Sequence, residues 1–339
     1  MNFSFRRFYA IFMARNKEFY RDLGALGWVF VFPFLMLISF NYIFEMDSEE
    51  VLKVAVVEGS KPIESPLFMQ LPMADVDTAM NKLKRHKVDL LVQQEGEGFK
   101  LWYNESSVPS TTALAVAKGA LSQPTVPLQV SKVTGQEITY ADWLFPGLLA
   151  MNVLWMALWG VGWVIVRHRK LGVLKRYKAS PVTPLEYLLG QMLSRLVVLI
   201  FTGVVVFVGA YLIHPFPIRG SLVDLAIIYT LGCICHASIG MIIAARMTSE
   251  ELANGVLNLI TYPAMFVSEI WFSLEGSEEW VLQLAYLTPL WHMTDGMRRI
   301  LFDGTSILHL GPSLALFVGV SILGLGLGSI LFRWVPDGR

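Results

Sequence analysis

The chain has 339 residues, 54% of them apolar and 16% charged, and its acidic and basic residues balance to a formal net charge of zero. That is well below the roughly 25% charge of a soluble globular domain, so the composition excludes an ordinary water-soluble enzyme, and no basic excess argues for a nucleic-acid partner. The two cysteines, Cys233 and Cys235, share one apolar run, which implies no disulfide framework; two positions apart on a helix, they read as packing residues rather than metal ligands.

Residues 1–23 carry Phe5, Phe8, Tyr9 and Phe12 at the spacing of one helical face, with Phe19 and Tyr20 extending the stripe and Arg6, Arg7, Arg15 and Lys17 mostly off it. A basic helix with an aromatic face is expected to lie in the membrane interface, either as a passive anchor or as an elbow that seats a cytoplasmic partner. The apolar run 24–44 follows, long enough to cross a hydrocarbon core that needs about 20 residues. It starts too late and lacks the small-residue site of a cleaved leader, so a retained span is expected.

Residues 45–142 form a polar insert of domain size. Short β-branched or alternating runs at 52–58, 88–93 and 99–104 predict strands, and 75–87 and 111–122 predict helices. The order strand, helix, strand, strand, helix predicts a small α/β domain with no recognisable catalytic or phosphate-binding constellation.

Beyond it, apolar runs at 143–166, 185–213, 222–245, 255–273 and 310–332 bring the expected number of membrane helices to six. Between the second and third lies a basic loop, 167–184, with Arg167, Arg169, Lys170, Lys175, Arg176 and Lys178, punctuated by Pro181 and Pro184. Basic residues concentrate in the N-terminal segment, in this loop, at Arg246 and at Arg333 and Arg339, whereas the short loops of the other side hold only Arg219, Arg298 and Arg299. By the positive-inside rule both termini are cytoplasmic and 45–142 is extracytoplasmic.

Three groups within the later spans bear on mechanism. Asn254, Asn258, Thr261, Tyr262, Met265 and Glu269 share one helical stripe, expected to face a translocation path or a dimer interface, with ordinary interhelical hydrogen bonding as the plainer reading. Arg195, two turns into the third span, is expected to snorkel to the surface, and Gly324 and Gly328 predict close helix packing. Residues 278–303 are amphipathic, broken at Pro289 and Gly296, and predict short helices dipping into the outer interface, with His292, Asp295 and Arg298 in surface hydrogen bonds.

The chain resembles the permease subunits of type-2 ATP-binding-cassette (ABC) exporters. LFPGLLAMN at 144–152 and RHRKLGVLKRYKASPVTPLEYLLGQML at 167–193 carry the resemblance, with LKVAVVE and KVDLLVQ in the insert and YLTPLWHMTDGMRRIL at 286–301 as a re-entrant segment. The resemblance implies a multi-pass protein of the bacterial inner membrane that exports an unidentified substrate. It implies a homodimer or a heterodimer with a related permease, a separate cytoplasmic ATPase that binds ATP and Mg, and scope for a periplasmic adaptor. It also implies that 167–184 couples to the ATPase, through Arg167, Arg169, Lys170, Gly172, Lys175, Arg176, Lys178 and Pro181. No G-x-x-x-x-G-K-[ST] sequence is present, so the chain is not expected to be an enzyme or to hold a cofactor or metal of its own. A proton-driven transporter, which should show central carboxylates, and a non-transporting scaffold or sensor built on the insert are the competing classes.

Overall fold

A computed structural model describes residues 3–44, 52–85, 87–96, 98–105, 107–121, 128–133 and 140–335. Helix α1 (Phe5–Arg21) and helix α2 (Leu23–Phe44) open the chain. Strands β1 (Leu52–Val57) and β2 (Phe68–Met73), helix α3 (Val76–Lys84), strands β3 (Leu90–Glu95) and β4 (Gly98–Asn104), helix α4 (Val108–Ala120) and strand β5 (Leu128–Val133) follow. The rest is helical: α5 (Tyr140–Ala157), a π-helical turn (Leu158–Trp163), α6 (Val164–Lys170), α7 (Val173–Lys178), α8 (Pro184–Ile213), α9 (Leu222–Ala244), α10 (Glu250–Val267), α11 (Glu279–Leu287), α12 (Pro289–Asp303) and α13 (Gly311–Leu331).

The chain separates into two compact units. One comprises 1–39, 142–274 and 278–339, the other 40–141 with 275–277.

In the second unit the five strands form one sheet in the order β2-β1-β3-β4-β5; only the β3–β4 pair is antiparallel. Side-chain alternation sorts the core onto two faces. Leu52, Val54, Leu90, Val92 and Leu101 pack under α4 through Ala113, Leu114 and Ala117. Ala55, Val57, Leu91 and Trp102 pack on α3 through Ala79 and Leu83. Both helices begin at side-chain caps, Asp75 accepting from the Thr78 amide and Ser107 from the Ser110 amide. Two strands exceed the sequence reading. Pro72 in β2 masks a strand that survives because it lies at the sheet edge, and β5, LQVSKV, has too weak an apolar pattern to stand out.

Among the described residues of the helical unit, four helices are long and apolar enough to cross a membrane: Ala141–Lys170, Pro184–Ile213, Leu222–Ala244 and Gly311–Leu331. The runs at 143–166, 185–213, 222–245 and 310–332 anticipated them within a few residues. On α8, Val197, Phe201, Val204 and Val208 line one exposed face, and on α13 Val318, Ile322 and Leu323 do the same; water would penalise such faces and lipid would not. Helix α9 packs against α13, α12, α8 and the π turn. The Gly-x-x-x-G expectation matches a close approach of α13 to α9: a Cβ on Gly324 would lie 2.6 Å from the Ser238 Cβ.

Helix α10 departs from the expected span at 255–273. Ser249 caps it at the Leu252 amide, so it starts earlier with Glu250 and Glu251 in the first turn, where the helix dipole favours them, and it stops at Val267. Gly296 does not break α12 either. It sits mid-helix, where a Cβ would meet the Ile228 Cδ1 at 2.2 Å.

Candidate functional site

The basic loop is two short helices rather than an open loop. Arg167, Arg169 and Lys170 lie on α6, the continuation of the second span; Leu171 and Gly172 turn the chain, Gly172 at φ +73°, a left-handed conformation that glycine adopts without strain. Helix α7 presents Lys175, Arg176 and Lys178 to solvent on three exposed positions, and Pro181 is exposed beyond it. Thr183 then opens α8 with a capping box: its hydroxyl accepts from the Glu186 amide, while the Glu186 carboxylate accepts from the Thr183 amide at 2.8 Å.

Helix α1 is fastened to both ends of this segment. At the α8 end the fully buried Glu186 takes Arg7 at 2.7 Å and the Ser4 amide at 2.6 Å. A buried carboxylate satisfied by an arginine and two backbone amides, those of Ser4 and Thr183, is the arrangement in which burying the charge is tolerated. At the α6 end Glu18 pairs with Arg15 at 2.7 Å and meets the His168 Nε2 at 3.4 Å, while the other ring nitrogen of His168 lies 3.1 Å from the Tyr187 hydroxyl. The His168 hydrogen bond, with the Arg15 charge behind it, holds the Glu18 carboxyl down at about 2 against the opposing effect of burial. Ile11, Asn16 and Phe19 bury the inner face of α1; Ser194 donates to Asn16 at 3.0 Å, and Ile11 fills the space over Gly190. Phe5 and Tyr9 of the aromatic stripe are exposed, whereas Phe8 and Phe12 are half-buried. A cavity of about 610 Å³ remains between α1 and this segment, with Arg15, Glu18, Arg167, His168, Tyr177 and Gln191 among its walls.

Arg169 does not face outward with the other cations. It is 3% exposed and donates to the backbone carbonyls of Ala244, Ala245, Met247 and Arg333, stapling the end of α9 to the end of α13. Lys170 lies 3.6 Å from Glu250 and 3.7 Å from Glu251, bringing α6 alongside the first turn of α10.

The six residues of the α10 stripe do not stay together. Asn254 accepts from the Trp159 indole at 3.1 Å, Asn258 and Met265 are half-buried, Thr261 is buried, and Tyr262, 50% exposed, meets Trp155 edge-on at 5.9 Å. Leu257, which reads as a flank in sequence, is buried, because the packed face of α10 runs through Ala253, Leu257 and Thr261. Glu269 leaves the stripe altogether: the helix has ended and Glu269 sits at φ +52°, its carboxylate accepting from the Leu274 amide at 3.0 Å.

Glu269 belongs instead to a knot with Arg298. Arg298 donates to the Glu269 carbonyl at 2.6 Å and to the Trp143 carbonyl at 2.9 Å, its guanidinium 3.6 Å from the centre of the Trp143 ring. Arg298 and His292 are both 8% exposed, which corrects their reading as surface groups. His292 bridges the Ser313 hydroxyl and the Tyr286 carbonyl, and Asp295 pairs with Arg299 one turn on. Arg195 is likewise corrected. It does not snorkel; its Nε donates to the Met156 carbonyl at 2.6 Å and its guanidinium lies over Phe19.

Glu186 is legible in sequence as the fourth residue of a T-x-x-E capping signature beside Pro181 and Pro184. Nothing in one sequence connects Arg7 to Glu186 or Glu18 to His168 across more than a hundred residues.

A family described as "ABC-2 family transporter protein" matches residues 24–334. The chain is 21% identical over 170 residues to the protein named "Probable multidrug ABC transporter permease YbhR" of Escherichia coli (strain K12), covering 50% of this chain and 46% of that one. It is 22% identical over 192 residues to "Inner membrane transport permease YhhJ" of the same organism, covering 56% of this chain and 51% of that one. The chain thus spans about half the length of the curated relatives it matches.

Proposed function

The chain belongs to the ABC-2 family of transporter proteins, and from that premise we propose that it is the membrane-spanning permease subunit of an ATP-driven exporter. The names of its relatives as ABC transporter and inner-membrane permeases support a place in a bacterial inner membrane. Energy comes from a separate ATPase subunit that holds ATP and Mg, and the permease pairs with itself or with a related permease. Six helices cross the bilayer, α2 and α10 joining the four longest apolar ones, with both termini cytoplasmic and 45–142 outside as an α/β domain. The asymmetry of arginine and lysine supports that orientation.

One observation carries the coupling reading. The exposed cations Arg167, Lys175, Arg176 and Lys178 sit on a short segment whose two ends are both tied to α1 through Glu186 and His168. A partner that moves this segment moves α1, the ends of α5–α6 and α8 with it, so a docking force reaches two spans at once. In this reading Arg169 stiffens the platform from within, and α10 with Asn254, Asn258, Thr261, Tyr262 and Met265 flanks the path or the dimer interface. Double charge reversal, Lys175→Glu with Arg176→Glu, tests it: the ATPase that copurifies with the native chain is lost while membrane insertion and folding persist. Undiminished copurification would rule the docking assignment out.

A further inference from the structure

The π-helical turn Leu158–Trp163 interrupts the second span at mid-length. A π turn widens the helix and disturbs the regular carbonyl ladder, which lets side-chain donors reach carbonyls there. Two arginines from different elements reach carbonyls in the turn and just before it. The Arg15 Nη2 of α1 donates to the Gly160 carbonyl at 3.0 Å, and the Arg195 Nε of α8 donates to the Met156 carbonyl at 2.6 Å. Gly160 makes the second contact sterically possible. A Cβ there would lie 1.8 Å from the Arg195 Nε, 1.9 Å from Nη2 and 2.0 Å from Cζ, so no other residue fits while the guanidinium is in place. The next residue back, Trp159, stacks on Trp155 at 4.4 Å and donates to Asn254 of α10.

We propose that Gly160 and Arg195 act as a positioning pair: the glycine admits the guanidinium, the guanidinium holds the π turn, and the π turn aims Trp159 at Asn254, joining the second span to α10. Both act through Trp159 and neither need touch a substrate. The pair's value to transport rests on the permease reading, whereas the geometry does not. With Arg15 on the same turn, α1 and α8 both reach the turn whose Trp159 meets α10.

The test measures the join directly. Trp159→Cys and Asn254→Cys, in a background carrying Cys233→Ala and Cys235→Ala, are bridged in membranes with a short bifunctional methanethiosulfonate. A second bridge, Asn16→Cys to Ser194→Cys, reports whether α1 still lies on α8. Gly160→Ala and Arg195→Gln should each lower the 159–254 bridge about tenfold and leave the 16–194 bridge intact, and the double variant should lose no more than the worse single, as expected of two residues that share one interaction. An undiminished 159–254 bridge in Gly160→Ala, or losses that multiply in the double variant, would overturn the pair. Where Gly160→Ala fails to reach the membrane, Arg195→Gln adds no atoms and carries the test alone, with an undiminished bridge again overturning it. Because no reading of transport enters, an inert chain with the expected bridging would refute the exporter function and leave the pair standing.

Discussion

Arg169 shows how a residue's role is decided by where distant backbone ends. Its four carbonyl partners come from the end of α9, the turn after it and the far end of the chain, none of them visible from its own neighbourhood in sequence. Arg169→Gln strands several buried carbonyls at about 1–3 kcal/mol for each that water cannot reach, so the melting temperature should fall by several degrees in detergent. Lys178→Gln, on an exposed neighbour, should leave it within error. Glu18 gives a prediction in pH. Its carboxyl is held near 2 in the folded chain against an ordinary value of 4.5, so its contribution is complete above about pH 4.5 and lost as pH falls toward 2. A nitroxide at Met13→Cys should gain mobility as α1 loosens across that window, and Glu18→Gln should show the mobile spectrum at neutral pH. A spectrum unchanged from pH 6 down to about 2 would show that the Glu18 contacts do not hold α1.

At the scale of elements, the first turn of α1 is tied to α8 by one buried carboxylate. Glu186→Ala removes the acceptor of Arg7, the Ser4 amide and the Thr183 amide together, which should cost about 3 kcal/mol and expose α1 to protease. Arg7→Lys, which keeps the charge but not the bidentate fork, should cost less than half of that. The long apolar helices and the strands at 52–58, 88–93 and 99–104 were legible because hydrophobic period and span length are local properties. The end of α10 was not: its apolar pattern runs on to residue 273, whereas the helix ends at Val267 and Glu269 beyond it is held by Arg298, a partner distant in sequence. Burial of His292 and Arg298 depends on α13 and on Trp143, partners that α12 does not announce. In the same way the stripe from Asn254 to Met265 was readable as a stripe, but which side packs inward was decided by the π turn opposite it.

For the whole molecule, orientation comes first. Ala115 lies on the exposed face of α4, so Ala115→Cys should react with an impermeant thiol reagent in spheroplasts, whereas Arg176→Cys should react only after lysis. The opposite pattern would invert the topology. The central claim is that this permease is driven by ATP bound elsewhere. It is tested by purifying the chain from its native membrane into nanodiscs and measuring ATP hydrolysis by what comes with it. The account predicts vanadate-sensitive hydrolysis in the native complex and its loss, at equal yield of chain, with Lys175→Glu and Arg176→Glu. Hydrolysis that the charge reversal leaves unchanged, or a chain that is isolated intact with no ATP hydrolysis at all, would contradict it.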